Sequence, residues 1–250
     1  MLTEERHQAI LRLLDQQSVV KSQELSTLLN ASESTIRRDL QELEDADLLE
    51  RIHGGAKRII NLGFEQDMTE KSVKNTQEKQ AIAFLAAQLV HDGDVIYLDA
   101  GSTTLEMLPF LAGKSITVVT NSVHHAAKLG DLSINTIILG GSLKLSTKAI
   151  TGSTGMEQLR HFRFNKVFMG MNGAHLEFGL TTPDPEEAAL KRLAIAQAEE
   201  AYVLIDQTKL NKVTFTKVTD LENVTLLINH CSPDILEQFQ KKTTIKEAIQ

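Results

Sequence analysis

Cysteine and long apolar segments are scarce in this sequence. Its one cysteine, Cys231, has no second cysteine with which to form an intramolecular disulfide, and no histidines cluster around it with metal-ligand spacing. The longest apolar stretch, residues 81–90, is too short to cross a bilayer, and the start of the chain lacks the apolar core of a signal peptide. We therefore expect a cytoplasmic protein with no metal site and no membrane segment.

Positive charge is scarce as well. The chain has 26 Lys and Arg residues against 33 Asp and Glu residues, which gives a net charge of −7. Residues 1–60 contain eight basic and eleven acidic residues, so the deficit extends to that segment too. A chain-wide basic footprint for nucleic acid is therefore absent, and any positive field must be local.

The composition is otherwise that of a folded protein, since 42% of the 250 residues are hydrophobic and 24% are charged. At roughly 100–200 residues per domain, this length favours two domains. The pattern changes near residue 60, where short helical patterns give way to apolar runs rich in β-branched residues. We predict a small domain over residues 1–60, a polar linker over 61–76 and a larger domain over 77–250.

The first segment has the pattern of a winged helix-turn-helix, a small α+β domain. Three apolar stripes predict three short helices, with Ser22 and Ser32 as N-caps and a tight turn at residues 30–31. Residues 48–53 predict a strand, which a Gly-Gly turn joins to a return strand over 56–60. The stripes consist of Ile10, Leu13 and Leu14, then Leu25, Leu28 and Leu29, and finally Ile36, Leu40 and Leu43.

The third helix carries a polar face of the kind that reads DNA. In a helix-turn-helix, arginine can bond guanine and glutamine can bond adenine in the major groove, while hydroxyls and helix amides bind phosphate. The alternative for a pair of arginines is a solvated helix face, but helix spacing, turn and basic wing all favour DNA binding. The candidate residues are Ser32, Ser34, Thr35, Arg37, Arg38 and Gln41 in the helix, and Arg51, His53, Lys57 and Arg58 in the wing.

The second segment predicts an α/β domain. Six apolar runs alternate with helical patterns, which is typical of βαβ units in a mostly parallel sheet with helices on both faces. Ligands of such sheets bind beyond the carboxyl ends of the strands, so the candidate residues are those that follow the runs. The runs cover residues 95–99, 116–120, 134–139, 166–170, 202–206 and 224–228.

The sequence Asp99-Ala-Gly-Ser-Thr-Thr predicts an anion site at the first strand end. Gly101 permits a tight turn, and Ser102, Thr103 and Thr104 open a helix whose amides and hydroxyls suit a phosphate. The alternative is that Ser102 merely caps the helix. The motif lacks the Walker Gly-Lys-Ser/Thr and the dinucleotide Gly-x-Gly-x-x-Gly pattern, so neither an NTP nor NAD is indicated and no cofactor is expected.

Small and amide residues follow other strands, where they can approach and bond a polyol. Ordinary turn chemistry explains each of them equally well. In the same way, Glu187 and Lys191, which are four residues apart in a predicted helix, can form a surface ion pair. The strand-end residues are Asn121, Gly140, Gly141, Asn172 and Gly173.

Residues 31–40, Ala-Ser-Glu-Ser-Thr-Ile-Arg-Arg-Asp-Leu, and residues 51–56, Arg-Ile-His-Gly-Gly-Ala, resemble the signature of the DeoR family of bacterial transcription repressors. The resemblance extends along almost the whole chain and is strongest for repressors of fructose-utilisation operons. The chain departs from the family pattern at Ser102, where threonine is common, and after Gly152, where proline is common. Residues 99–104, 119–121, 139–141, 170–173, 179–188 and 206–209 resemble the family's sugar-phosphate-sensing domain.

The resemblance implies a sequence-specific repressor that is controlled by a phosphorylated sugar, with fructose 1-phosphate as the first effector to test. It also implies that Glu187, Lys191, Asp206 and Lys209 line the effector pocket, and that the larger domain has a fold similar to ribose-5-phosphate isomerase and CoA-transferases. Because one winged helix reads only a short half-site, we expect at least a homodimer on double-stranded operator DNA.

Two other function classes deserve comparison. An isomerase-like enzyme could use Glu187 or Asp206 as a base, with phosphate held by residues 102–104. A structural nucleoid protein is disfavoured by the acidic balance and the ligand-like loops. An isomerase needs no module that reads duplex DNA, and a shared fold does not carry function, so we predict a sensor and not an enzyme.

Overall fold

The computed structural model describes residues 2–46, 48–58, 62–63, 65 and 67–248, with the backbone alone at Asp15 and Gln16. The chain divides into two compact units, Met1–Asn61 and Leu62–Gln250. The elements of the first unit are α1 (Thr3–Gln17), β1 (Val19–Lys21), α2 (Ser22–Leu28), α3 (Glu33–Asp45), β2 (Glu50–Ile52) and β3 (Gly55–Lys57).

The three helices of the first unit form as predicted, around one apolar cluster. Ser32 caps α3, since its hydroxyl accepts a hydrogen bond from the backbone N–H of Thr35 at 3.2 Å. The N-cap prediction for Ser22 is wrong, because the chain passes directly from β1 into α2 and Ser22 is already helical. Leu28 is 65% exposed, because α2 turns Leu25 and Leu29 toward the cluster instead.

The wing has one strand more than predicted. Its strands form an antiparallel sheet in the order β1-β3-β2, in which Ala56 lies between Val20 and Arg51. The sequence did not predict β1, because a strand of three residues is too short to show a period. Residues 59–60 of the predicted return strand lie outside the described residues.

The second unit starts with two helices and then alternates strands with helices, as predicted. Its first elements are α4 (Met68–Val73), α5 (Thr76–Gln88), β4 (Val95–Leu98), α6 (Ser102–Met107), β5 (Thr117–Thr120), α7 (Val123–Asp131), β6 (Asn135–Ile138), β7 (Ser142–Lys144), β8 (Ala149–Thr151) and α8 (Ser153–Arg160). The remaining elements are β9 (Phe164–Gly170), β10 (Gly173–His175), β11 (Gly179–Thr182), α9 (Pro185–Ala196), β12 (Ala198–Ile205), β13 (Thr216–Thr219), β14 (Thr225–Ile228), α10 (Pro233–Gln240) and β15 (Thr244–Glu247).

A seven-stranded sheet in the order β15-β14-β12-β9-β4-β5-β6 forms the centre of the second unit, and its neighbouring strands pair in parallel. Successive residues of β4 enter different apolar clusters, since Tyr97 packs in one while Ile96 and Leu98 pack in the other. The sheet is therefore covered on both faces, which confirms the predicted α/β class. The antiparallel β10-β11-β13 sheet and the β7–β8 hairpin are additions that the sequence did not predict.

The predicted linker, residues 61–76, contains a short helix where the structure describes it. Residues 68–73 form α4, Met68 is buried, and its backbone N–H donates to the carbonyl of Ser146 at 2.9 Å. Glu65 pairs with Lys71 at 2.7 Å. Ion pairs and one apolar side chain thus hold this segment against other residues of the second unit. Residues 61, 64 and 66 lie outside the described residues.

The described helices include none that is both long enough and apolar enough to cross a membrane.

Candidate functional site

Helix α3 presents two faces of opposite character. Ile36 and Leu40 are buried in the cluster of the first unit, whereas Ser34, Arg37 and Arg38 are exposed. The guanidinium of Arg38 bonds Glu42 at 3.0 Å, and that of Arg37 bonds Glu33 at 3.3 Å. Exposed pairs of this kind contribute about 0–1 kcal/mol, so either arginine can exchange its partner for another anion at little cost.

The first turn of α3 gathers hydroxyl groups. The Ser32 Oγ lies 2.8 Å from both the Ser34 Oγ and the Thr35 Oγ1. Ser32 and Ser34 are exposed and Thr35 is half-buried. A helix N-terminus with exposed hydroxyls is suited to an anionic oxygen such as that of a phosphate.

Gln41 and Arg51 form a hydrogen bond between α3 and the wing. The Gln41 carbonyl accepts from the Arg51 guanidinium, and the Gln41 amide donates to Asp45 at 2.8 Å. The backbone N–H of Arg51 donates to Glu44 at 2.8 Å. These contacts fasten the wing to the second half of α3, so the two side chains set the position of the wing.

The remaining wing candidates surround the glycine turn. His53 is exposed beside Gly54, whose φ of 81° lies in the left-handed region that favours glycine. Lys57 pairs with Glu50 at 2.8 Å, and the backbone N–H of Arg58 donates to Ser18 at 2.9 Å.

A buried carboxylate ties α3 to α1. Asp39 accepts from the Arg6 guanidinium at 2.8 and 2.9 Å, and the His7 Nε2 lies 3.3 Å from the same carboxylate. His7, Asp39 and Glu42 are close enough to be potential metal ligands. Because Arg6 binds both oxygens of Asp39, we assign this group to the support of α3.

In the second unit, Asp99 is the centre of a buried hydrogen-bonded junction at the carboxyl end of β4. Its Oδ1 accepts from the Gly101 N–H and the Thr104 hydroxyl, both at 3.0 Å. Its Oδ2 accepts from the Gly170 N–H at 2.9 Å and pairs with Lys191. Lys191 also donates to the Gly170 carbonyl at 2.9 Å. The junction therefore joins β4, β9 and α9.

The first turn of α6 is hydrogen-bonded to a histidine, His125, that the sequence did not indicate. His125 is fully buried, with Nε2 3.1 Å from the Thr104 hydroxyl and Nδ1 2.7 Å from the Ser122 hydroxyl. Burial lowers the pKa of His125 to about 4, so the ring is neutral at pH 7. Ser102 is the first residue of α6 and its hydroxyl does not cap the helix, while Thr103 is buried beside it.

Glu187 belongs to a second cluster, which is organised by Lys144. The Lys144 ammonium lies 2.6 Å from Glu65, 2.7 Å from Asp184 and 3.0 Å from Glu187. The hydroxyl of Thr147 donates to Glu187 at 3.0 Å. Glu187 and Lys191 thus pair with different partners instead of with each other, which removes the surface ion pair as an explanation. Sequence reasoning missed Lys144 and Thr147, which have no recognisable motif.

Asp206 and Lys209 form a third polar group, at the end of β12. Although burial tends to raise the pKa of Asp206, the charge of Lys209 and hydrogen bonds from Thr208 lower it below the usual value. Lys79, which the sequence did not indicate, is buried nearby and donates to the Lys71 carbonyl. Burial lowers the pKa of Lys79, and the charge of Asp206 opposes that change.

The other strand-end candidates have structural partners. Asn121 accepts from the Tyr97 hydroxyl at 3.0 Å and donates to the Ile150 carbonyl at 3.1 Å. The Gly140 N–H donates to Gln158 at 2.8 Å. A Cβ at Gly141 or Gly173 would lie within 2.5 Å of a backbone oxygen, and Asn172 accepts from the Thr182 hydroxyl at 3.0 Å. Each of these positions thus has a turn or packing role at the sheet edge, and its part in ligand binding stays a prediction.

Two family models match the chain. The DeoR-like helix-turn-helix domain matches residues 6–61, and the DeoR C terminal sensor domain matches residues 74–230. The chain belongs to the DeoR family. It is a DNA-binding transcriptional regulator with a C-terminal sensor domain, which confirms the resemblance found in the sequence.

Relatives of this DeoR regulator align over nearly its whole length. The uncharacterized HTH-type transcriptional regulator FruR of Bacillus subtilis (strain 168) is 46% identical over 98% of each chain. The HTH-type transcriptional regulator GlpR of Haloferax volcanii is 37% identical over 91% of this chain and 90% of its own. The lactose phosphotransferase system repressor of Streptococcus mutans is 34% identical over 100% of both. These relatives are named as regulators, in agreement with the prediction that the DeoR regulator is not an enzyme.

Solved structures show weaker likenesses to the DeoR regulator. Ribose 5-phosphate isomerase A from Methanocaldococcus jannaschii aligns with a TM-score of 0.41 and 19% identity over 55% of each chain. The delta subunit of eIF2B from Chaetomium thermophilum aligns with a TM-score of 0.47 and 18% identity, over 80% of this chain and 63% of its own. Neither likeness bears on activity.

Proposed function

We propose that this DeoR regulator represses a fructose-utilisation operon and that fructose 1-phosphate, bound at the carboxyl edge of the large sheet, controls its affinity for DNA. The observation that carries the proposal is the pair of buried ion clusters at Asp99–Lys191 and Glu187–Lys144, which align with the family's sensor domain. The similarity to the relative named FruR supports the choice of sugar. As a regulator of transcription that binds bacterial DNA, the protein would act in the cytoplasm.

The exposed face of α3 is proposed to enter the major groove of the operator. Arg38 would bond a guanine or a phosphate, and the hydroxyls around Ser32 would hold phosphate oxygens near the helix start. Gln41 and Arg51 would act indirectly, by holding the wing against α3. Because a single winged helix reads only a few base pairs, two or more copies would bind a symmetric or repeated operator.

The sensor site is proposed to bind the sugar through charged and hydroxyl groups. Lys191 and Lys144 would bond ligand oxygens, Asp99 and Glu187 would accept from sugar hydroxyls, and residues 102–104 would hold the phosphate. Asp206 and Lys209 would complete the edge. A sugar phosphate carries both hydroxyls and an anionic group, and this mixture of carboxylates, ammonium groups and hydroxyls complements both.

Fructose 1-phosphate is expected to stabilise the full-length protein against heat. A ligand at 100 times its dissociation constant adds about 2.7 kcal/mol to the stability, which is roughly 5–10 °C for a domain of this size. The measurement is a thermal unfolding scan with fructose 1-phosphate, fructose 6-phosphate, glucose 6-phosphate, fructose and inorganic phosphate, each as a concentration series. If only another phosphorylated sugar raises the unfolding temperature, that sugar replaces fructose 1-phosphate as the proposed effector. If none of the phosphorylated sugars raises it, the proposal of a sugar-phosphate sensor is contradicted.

The variant Arg38→Ala is expected to weaken operator binding by about 1–3 kcal/mol and to lower its salt dependence, because a cation on the DNA-facing side of α3 is lost. The probe is a DNA duplex selected by the wild-type protein from a random-sequence library, and the measurement is fluorescence anisotropy over a range of salt concentrations. Arg160→Ala is the matched control, since Arg160 is also exposed on a helix and paired with a nearby glutamate at 3.5 Å. Equal affinity of the two variants would contradict the assignment of α3.

A further inference from the structure

We propose that Lys144 and the β7–β8 hairpin couple the ligand site to the connecting segment, defined as residues 62–68, through which the chain enters the second unit. This inference rests on the proposed function, since it assumes a ligand at the carboxyl edge. Residues 64 and 66 of the connecting segment lie outside the described residues. Among the residues that the structure describes, Glu65 and Met68 contact the hairpin, and the Leu62 carbonyl accepts from the Phe215 N–H at 3.0 Å.

Lys144 forms ion pairs with both the ligand site and the connecting segment. Its ammonium group lies 3.0 Å from Glu187, a candidate ligand residue, and 2.6 Å from Glu65 in the connecting segment. Its third partner is Asp184, at 2.7 Å, which also caps α9 through the N–H groups of residues 186 and 187. A single side chain therefore links the ligand residue, the start of α9 and the connecting segment.

The loop of the hairpin also links the candidate ligand residue Glu187 to the connecting segment, through Ser146 and Thr147. The carbonyl of Ser146 accepts from the Met68 N–H at 2.9 Å, while the hydroxyl of Thr147 donates to Glu187 at 3.0 Å. The base of the hairpin is held by Asn121, which exchanges two hydrogen bonds with Ile150, of 2.6 and 3.1 Å. At its tip Leu145 is 73% exposed, whereas Thr147 is buried against Glu187. The hairpin is thus held at its base by Asn121 and at its tip by the contacts of Ser146 and Thr147 with Met68 and Glu187.

The donor count makes the arrangement responsive to a ligand. An ammonium group has three N–H donors, and three carboxylates surround that of Lys144. A ligand oxygen that accepts from Lys144 must therefore displace one carboxylate. Glu65 is the carboxylate that leaves most readily, because it keeps a second cation, Lys71, at 2.7 Å.

The electrostatics agree with this exchange. Burial alone would lower the pKa of Lys144, but hydrogen bonds to Asp184 and Glu65 raise it above the usual value, so the group stays charged. Burial would raise the pKa of Glu65, but the charges of Lys71 and Lys144 lower it. When Lys144 turns to the ligand, Lys71 still holds the other oxygen of Glu65, and the connecting segment loses one of its two described anchors to the hairpin.

The variant Glu65→Gln tests the coupling in the full-length protein. Operator affinity is measured by anisotropy with the selected duplex, with and without fructose 1-phosphate, and ligand affinity is measured by calorimetry. Allosteric couplings are typically about 5- to 150-fold. We expect Glu65→Gln to reduce the ligand-dependent change in operator affinity to about twofold or less, while the dissociation constant for fructose 1-phosphate changes by less than about threefold. The matched control is Glu222→Gln, because Glu222 forms an exposed pair with Lys242 at 3.4 Å.

Hydrogen exchange adds a readout, the ligand response of the wild-type protein, that a purely structural role of Glu65 would not produce. In the wild-type protein, fructose 1-phosphate is expected to speed exchange of the Met68 amide, which bonds Ser146. In Glu65→Gln the exchange should already be fast without ligand and should respond little to it.

The outcomes separate the two proposals. A wild-type protein that neither binds fructose 1-phosphate nor changes its operator affinity overturns the proposed effector, and the coupling with it. If fructose 1-phosphate changes operator affinity in Glu65→Gln as much as in the wild-type protein, the proposed route through Lys144 is overturned and the proposed effector stands. Loss of ligand binding in Glu65→Gln also overturns it, since Glu65 would then belong to the ligand site itself.

Discussion

Replacement of Asp99 by alanine is expected to destabilise the sensor domain by about 3–5 kcal/mol, the usual cost of removing one partner from a buried ion pair. Lys191 would lose its carboxylate while only 9% of its side chain is exposed, so its charge could not be hydrated. The Gly101 and Gly170 N–H groups and the Thr104 hydroxyl would lose an acceptor as well. The measurement is urea unfolding at pH 7, with the transition of the second unit followed by circular dichroism.

The pair Asp99–Lys191 can be tested as a pair because both partners can be made neutral. The double variant Asp99→Asn, Lys191→Met removes both charges and is expected to lose less stability than Asp99→Asn alone, since no unpaired ammonium remains. Glu237→Gln is the surface control, because Glu237 pairs with Lys241 four residues away in solvent and should change stability by less than about 1 kcal/mol. If Asp99→Ala costs no more than this control, the junction does not hold β4, β9 and α9 together.

Local pattern predicted six of the seven strands of the large sheet, and with them the edge at which the polar groups lie, because an apolar run and the residue that follows it are short-range features. A buried parallel strand appears in the sequence as a short apolar run, as at 95–98 and 117–120, and the residue that follows it must lie at the carboxyl edge. Asp99 and Asn121 were found in this way. The winged helix could be predicted in the same way, since its apolar stripes and turn glycines lie within 60 residues of one another.

Partner choice could not be predicted, because it depends on contacts between distant parts of the chain. Glu187 bonds Lys144, which is 43 residues away, and Lys191 pairs with Asp99, which is 92 residues away. At the level of sequence, the four-residue spacing of Glu187 and Lys191 pointed to a mutual pair. The three-residue strands of the hairpin that carries Lys144 also have too few residues for a period to appear, so neither the hairpin nor its lysine gave a signal.

Acid is expected to weaken the sensor domain through His125, and the sign follows from its pKa. Burial lowers that pKa from 6.5 to about 4, so between these values the unfolded chain binds a proton that the folded chain does not. The contribution of His125 to stability is therefore complete above pH 6.5 and is lost as the pH falls from 6.5 toward 4. The loss is about 1.4 kcal/mol per pH unit, or roughly 3 kcal/mol over the whole interval.

The variant His125→Gln isolates this contribution. It removes the titrating group, so its free energy of unfolding should depend less steeply on pH between 6.5 and 5 than that of the wild-type protein, even if the variant is less stable at every pH. The control is His124→Gln, which replaces the exposed neighbour on the same helix and leaves His125 in place. Parallel pH profiles for wild type and His125→Gln would contradict a buried neutral histidine. Because His125 supports Thr104, and Thr104 bonds Asp99, protonation of the folded ring is also expected to loosen the turn that opens α6, so ligand affinity should fall as the pH approaches 4.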